Sequence, residues 1–291
     1  MAHKAEKFRV ALVQMRSGRD IGGNLLQAEA YIREAAGRGA HYIQTPENTL
    51  LMEADGMRQL EKLAPEDQTV GIQQFSDLAG TFRIWLHIGS IAIKAGEGKA
   101  VNRAFLFAPN GDAVLRYDKI HMFDVNLSSG ENYRESATFI PGGVAYVAEL
   151  PWGGLGVSTC YDIRFPEQYK ALAKAGAKFL TAPSAFTKVT GEKHWHILLR
   201  ARAIENGCFV FAAAQGGRHA SGRTTYGHSL IVSPWGEILG EGGTDPGLIM
   251  ADIDTAEVDR VRGRIPALDH SRDFKVKVVP LPKARMRESA Q

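Results

Sequence analysis

The chain has 291 residues, 44% of them hydrophobic, enough apolar material for a large core. Its formal net charge is only +3 and no basic run stands out, which excludes nucleic-acid binding driven by charge. Two cysteines make no disulfide framework, no stretch approaches membrane-spanning length, and the first thirty residues carry charges throughout, so the reading is a cytoplasmic protein with no membrane partner.

Phe8 to Gln14 reads as a buried strand. Asn24 to Ala36 reads as a helix, with Leu25, Ala28, Ile32 and Ala35 on one face and Gly37 and Gly39 at its end. His41 to Gln44 is the next strand, which makes a βαβ unit and so a parallel pair. A helix over Gln68 to Ala79 and a strand over Ile84 to Ile93 follow. Val101 to Ala108 and Ala113 to Arg116 flank Asn110-Gly111, the strongest short hairpin signal.

The second half repeats the plan. Strands are expected at Leu155 to Thr159, Lys178 to Ala182 and Cys208 to Ala213, with helices at Pro166 to Ala175 and Glu192 to Asn206. A hairpin turns at Trp235-Gly236, and a strand over Leu248 to Ile253 precedes a helix over Thr255 to Arg264. No low-complexity linker divides the halves. The pattern predicts one α/β domain with internal pseudo-symmetry over residues 8–268, between a tail at 1–7 and an arm at 269–291. In the arm, Lys275-Val276-Lys277-Val278-Val279 alternates like a half-buried strand.

Cys160 falls on the turn between the strand ending at Thr159 and the helix starting at Pro166. Such a turn lifts a nucleophile clear of a sheet and surrounds it with backbone N–H groups. A small buried hydrophobe is the other reading of a cysteine there. Pro46-Glu47-Asn48 and Tyr117-Asp118-Lys119-Ile120-His121 each follow a strand-like stretch and can supply the partners a thiol needs. Taken singly, Glu47 and Lys119 would be solvated surface charges. Ligands gather at the carboxyl ends of strands in α/β sheets. Glu47 and Cys160 both sit just past such ends, in what the pattern makes equivalent places of the two halves.

These segments, in this order, resemble the carbon–nitrogen hydrolase (nitrilase) superfamily over roughly residues 8–275. The resemblance implies a four-layer α-β-β-α sandwich and a triad of Glu47, Lys119 and Cys160, with Glu135 as the second glutamate that holds the Lys119 ammonium. It implies no metal and no cofactor. It also implies a homodimer or higher oligomer, paired through helices flanking the site, with the C-terminal arm crossing to the partner. In the chemistry of such a site, Glu47 is the base, and burial is expected to raise its pKa toward the working range. Lys119 and the backbone N–H of Tyr161 stabilise the oxyanion.

Within the superfamily, Cys160-Tyr161-Asp162-Ile163-Arg164-Phe165-Pro166-Glu167, Pro183-Ser184-Ala185-Phe186 and Thr190-Gly191 look most like the deaminated-glutathione amidases, with the omega-amidases second. That likeness implies a thiol amidase converting a small carboxylated linear amide to acid and ammonia. It also implies that Arg164, Phe186 and Thr190 hold the substrate carboxylate. Arg164 has a structural alternative, an ion pair with Asp162 or Glu167. Arg218 and His219 either meet a distal carboxylate or are exposed loop residues. A nitrilase would use the same triad. A non-catalytic binding protein is the reading from another class, and the intact triad speaks against it. The loop from Val125 to Glu131 differs from the animal enzymes. The nine histidines show no metal-ligand spacing, and Cys208, in the apolar Cys208-Phe209-Val210-Phe211-Ala212, reads as packing.

Overall fold

The computed structural model describes residues 7–96, 98–127 and 130–280. In chain order the strands are β1 (Lys7–Gln14), β2 (Tyr42–Gln44), β3 (Trp85–Lys94), β4 (Ala100–Phe107), β5 (Ala113–Asp118), β6 (Asp124–Asn126), β7 (Asn132–Arg134) and β8 (Tyr146–Leu150). There follow β9 (Gly153–Val157), β10 (Ala177–Thr181), β11 (Phe209–Ala212), β12 (Gly216–Arg218), β13 (Thr224–Tyr226), β14 (Leu230–Val232), β15 (Ile238–Glu241) and β16 (Gly247–Asp254). The helices are α1 (Ile21–Gly37), α2 (Gly56–Lys62), α3 (Ile72–Phe82), α4 (Pro166–Lys174), α5 (Lys188–Asn206) and α6 (Ala256–Arg264).

Two six-stranded sheets carry the fold, in the orders β16-β1-β2-β3-β4-β5 and β15-β14-β11-β10-β9-β8. Each is built on a parallel trio, β1-β2-β3 in one and β9-β10-β11 in the other. Each trio has an antiparallel strand on one side, β16 or β8, and an antiparallel hairpin on the other, β4–β5 or β14–β15. The pseudo-symmetry read from the sequence is therefore real. Yet β16 returns from the far end of the domain to close the first sheet.

The strands show why the layers form. Phe8, Val10 and Leu12 of β1 point between the sheets, where they join Phe179, Phe209 and Phe211. The alternate residues Ala11 and Val13 face the helix layer of α1 and α3. In β11, Phe209 and Phe211 point inward, while Val210 and Ala212 face α4 and α5. Both faces of each sheet are thus apolar, and period-two alternation sorts side chains between two cores rather than between core and water. Each buried phenylalanine contributes about 1.5–3 kcal/mol of hydrophobic stabilisation. The result is a four-layer α-β-β-α sandwich.

Most expected elements appear with shifted ends. The helix expected at Gln68 begins at Ile72, because Gly71 takes a left-handed conformation (φ 98°) and its N–H is capped by Gln74. Helix α2 and the exposed ribbon β6–β7 were not expected. The arm residues 271–280 have no regular secondary structure, and Phe274, Val276, Val278 and Val279 are exposed. Residues 1–6 and 281–291 of the expected tail and arm lie outside the described residues.

Candidate active site

Glu47 leaves the end of β2 and Cys160 the end of β9, so both do sit at carboxyl ends of parallel strands. They are not equivalent positions. β2 is the middle strand of its trio, whereas β9 is an outer one. The counterpart of the Glu47 loop is the exit of β10, at Pro183, Ser184 and Ala185. The asymmetry brings the pieces together. The Cys160 N–H donates to Pro183 O (2.9 Å), and the Ala185 N–H donates to Glu47 Oε2 (2.8 Å). One loop therefore ties nucleophile to carboxylate.

Both exits turn at a left-handed residue, Asn48 (φ 57°) beside Glu47 and Cys160 itself (φ 50°). Asparagine visits that region readily, but cysteine does so at a cost of about 1–3 kcal/mol, and such strain clusters at active sites. The turn after Cys160 is pinned by the fully buried Asp162. Its carboxylate accepts from Thr159 N (2.8 Å), Tyr117 Oη (2.5 Å) and His121 N (3.0 Å).

Lys119 is buried between two carboxylates. Its Nζ lies 2.9 Å from Glu47 Oε1 and 2.8 Å from Glu135 Oε2. Glu135 also accepts from the Phe123 N–H (2.6 Å). Asn102, the third residue of β4, reaches both acids: its Nδ2 donates to Glu47 Oε1 (3.0 Å) and Glu135 Oε1 (3.3 Å). Sequence reasoning missed Asn102. The only signal was an amide near the start of a mostly apolar strand.

The electrostatics follow from this packing. Burial alone raises Glu47, as expected, but the Lys119 ammonium, the hydrogen bond from Cys160 and a second one from Lys119 outweigh it and hold the carboxyl below its ordinary range. The expectation of a raised Glu47 is thus corrected. Burial opposes the Lys119 charge, yet Glu135 and Glu47 keep its pKa well above the usual value. Burial and then the Glu47 charge push the Cys160 thiol far up, against the pull of Lys119. The surroundings thus favour the ionised forms of Glu47 and Lys119 and the neutral form of Cys160.

A cavity of about 810 Å³ opens over these groups. Glu47, Lys119, Glu135, Cys160, Tyr161, Phe186 and Thr190 all line it. Arg164 does not. Its guanidinium lies 5.3 Å from the Phe186 ring centroid and 3.2 Å from His194 Nδ1, and no ion pair with Asp162 or Glu167 occurs among the described residues. Arg218 is exposed, while His219 is buried on Ser17 O (2.8 Å) and Thr225 Oγ1 (2.6 Å), away from the cavity. The arginine that enters the cavity lining from that loop is Arg223, which nothing in the sequence marked.

A model of the carbon-nitrogen hydrolase family matches residues 9–263. The chain belongs to the carbon–nitrogen hydrolase family. It is a hydrolase of carbon–nitrogen bonds other than peptide bonds. The hydrolase is 40% identical to the deaminated glutathione amidase of Yersinia enterocolitica, over 93% of this chain and 95% of that protein. It is 34% identical to an omega-amidase of Danio rerio, over 92% of this chain and 95% of that one. It also superposes on an amidase of Nesterenkonia sp. AN1 with a TM-score of 0.78 and 26% identity, covering 93% of this chain and 95% of that one. In that structure, of a Glu-to-Gln mutant, the acetamide moiety of fluoroacetamide is covalently added to the active-site cysteine.

Elsewhere the hydrolase brings together residues that no sequence spacing marks. His196 of α5 and His228 before β14 both contact Glu241 Oε1, each at 2.9 Å. One carboxylate shared by two imidazoles accounts for this geometry. Both cysteines are free, and Cys208 is buried, with Arg262 Nη2 donating to its sulfur (3.0 Å). No helix among the described residues is long and apolar enough to cross a membrane.

Proposed function

We propose that this hydrolase is a thiol amidase, converting a small carboxylated linear amide to acid and ammonia through a thioester on Cys160. The observation that carries the reading is that Cys160, Lys119 and a Glu47 carboxyl anchored by Lys119, Asn102 and Ala185 meet on the wall of one cavity. Because the thiol pKa is pushed up and the carboxylate pKa is held down, thiolate does not accumulate at rest. The proton passes from Cys160 to Glu47 as the sulfur attacks the amide carbonyl carbon. The carbonyl π electrons move onto oxygen, where the Lys119 ammonium and the Tyr161 backbone N–H stabilise the charge. As the tetrahedral adduct collapses, the C–N bond breaks and Glu47 returns the proton to the departing nitrogen, which leaves as ammonia, or as the amine from a substituted amide. Water then attacks the thioester with Glu47 taking its proton. The C–S bond breaks, and acid and thiol are restored. Glu135 positions Lys119 throughout.

Phe186 and Thr190 form a wall of the acyl pocket, and Arg164 stiffens Phe186 from behind the lining. The substrate class is that named for the Yersinia relative, deaminated glutathione. Alpha-keto acid amides are the second reading, favoured by the likeness to the Danio enzyme. The protein works in the cytoplasm, without metal or cofactor, as a homodimer or larger homo-oligomer. The exposed arm residues Phe274, Val276, Val278 and Val279 supply apolar surface for docking on a second copy. Ammonia release from a panel of omega-amides and nitriles, by wild-type protein and Cys160→Ala, tests the chemistry. Loss of all turnover in a folded Cys160→Ala is expected; retained activity overturns the thiol mechanism.

A further inference from the structure

The charges that line the cavity are mostly satisfied. Lys119 is held by Glu47 and Glu135, as described. Glu53 is 3.4 Å from both Arg19 and Lys62. Asp55 caps α2 through the N–H groups of Met57 (2.9 Å) and Arg58 (3.2 Å). Arg134 donates to Asn126 Oδ1 and Tyr133 O, both at 3.0 Å. Glu131 lines the same side, next to Tyr133.

Arg223 differs from these. No carboxylate among the described residues forms an ion pair with it, although it is half-buried in the cavity wall. One Nη2 hydrogen goes to Ala185 O (2.5 Å), and the guanidinium also meets Tyr133, as a hydrogen-bond partner and with its carbon 5.1 Å from the ring centroid. Its Nε is buried with no hydrogen-bond partner. A buried guanidinium donor left unmade costs about 1–3 kcal/mol or more, and on a cavity wall it calls for a functional explanation. Because Nε itself is shielded, a ligand in the cavity would meet the guanidinium at its Nη1–Nη2 edge, where two N–H groups side by side can grip a carboxylate with two parallel hydrogen bonds.

Building on the amidase reading above, we infer that Arg223, backed by Tyr133, is the subsite that holds the substrate's free carboxylate. The position also measures the substrate. Ala185 gives its N–H to Glu47 and its C=O to Arg223. One residue separates those atoms by less than about 4 Å, so base and clamp stand no more than roughly 9 Å apart. A carboxylate only a few carbons from the scissile amide spans that gap. Neutral amides leave the fork empty.

Two measurements test the subsite. The first compares kcat/KM on succinamate and glutaramate with that on butyramide and valeramide. Wild type should favour the carboxylated amides, and Arg223→Met should collapse that ratio by about ten- to a hundredfold, with Arg223→Lys between them. The second titrates glutarate calorimetrically into Cys160→Ala and Cys160→Ala/Arg223→Met, with thermal melts to confirm folding. Glutarate should bind the single variant and bind the double variant at least tenfold more weakly. This readout stands even if no amide is turned over, so failure of the amidase reading and failure of the clamp remain distinguishable. Equal glutarate affinity in the two proteins overturns the inference. So does a ratio that collapses in Arg164→Met but not in Arg223→Met.

Discussion

Gly89 and Pro183 approach so closely that a β-carbon on Gly89 would stand 2.5 Å from the Pro183 Cβ. Gly89 lies where the β3–β4 register shifts, and the same β-carbon would collide with Thr45 O. Pro183 in turn accepts from the Cys160 N–H. Gly89→Ala should therefore part the loop that carries Glu47 from the Pro183 loop that holds Cys160. Overpacking of this kind costs about 1–3 kcal/mol. Urea unfolding and ammonia release should both fall. An active protein of unchanged stability would show that the loops tolerate separation.

Asn102 sits between the two acids and carries no charge. Asn102→Asp would put a third negative group beside Glu47. A nearby like charge disfavours the ionised carboxylate, so the Glu47 pKa should rise. The acid limb of the kcat/KM profile should then move to higher pH by about one unit, with the fold kept. A profile that only scales down, without moving, would make Asn102 a mere spacer.

The buried histidines set an acid limit on stability. Burial lowers His219 to about 4 and His87 to about 3. The unfolded chain protonates both near its ordinary value of about 6.5. Below that pH the unfolded state binds more protons, so stability is present above about 6.5 and falls with pH toward the folded values, at up to about 1.4 kcal/mol per unit for each histidine. Urea melts at pH 7.5, 6 and 5 should show the decline, and His219→Gln should flatten it. A wild-type protein equally stable at pH 7.5 and 5 would contradict this account.

Cys208→Ser should leave catalysis intact. Burial raises this thiol to about 11, against the pull of Arg262, so it is neither exposed nor ionised. A modest loss of stability, about 1 kcal/mol, is expected from placing a hydroxyl in that packed site. A folded but inactive variant would mean that the nucleophile had been assigned to the wrong cysteine.

Truncation after His270 tests the arm. Its valines are exposed on the single subunit. If they dock on a second copy, the shortened chain should elute later in size-exclusion chromatography. An unchanged volume would argue that the arm plays no part in assembly.

The sequence showed Glu47, Lys119 and Cys160 clearly because each follows a strand and sits in a short motif, and a strand end is the place where side chains leave a sheet. Arg223 was invisible. It stands in a polar loop, His219-Ala220-Ser221-Gly222-Arg223, whose path depends on contacts with Ser17, Thr225 and Ala185, all distant or across a turn. The sign of the Glu47 shift was misread for a similar reason. Burial is foreseeable from a motif, but the number of donors aimed at a carboxylate is known only once Asn102, Lys119 and Ala185 have converged. Ribbon β6–β7 escaped notice because three-residue strands with exposed ends carry no periodicity.

The pairing of β1 with β16 joins Lys7 to Asp254 and runs in unbroken register to Gln14 and Gly247. Strand β1 must therefore wait for a partner made long after it. Until then its apolar length has an open edge, available to any other extended chain. A nascent chain stalled before Gly247, or a product cut there, keeps every residue of the candidate catalytic site and loses the strand that seals the first sheet. Quality control of this protein thus rests on a segment that touches no substrate.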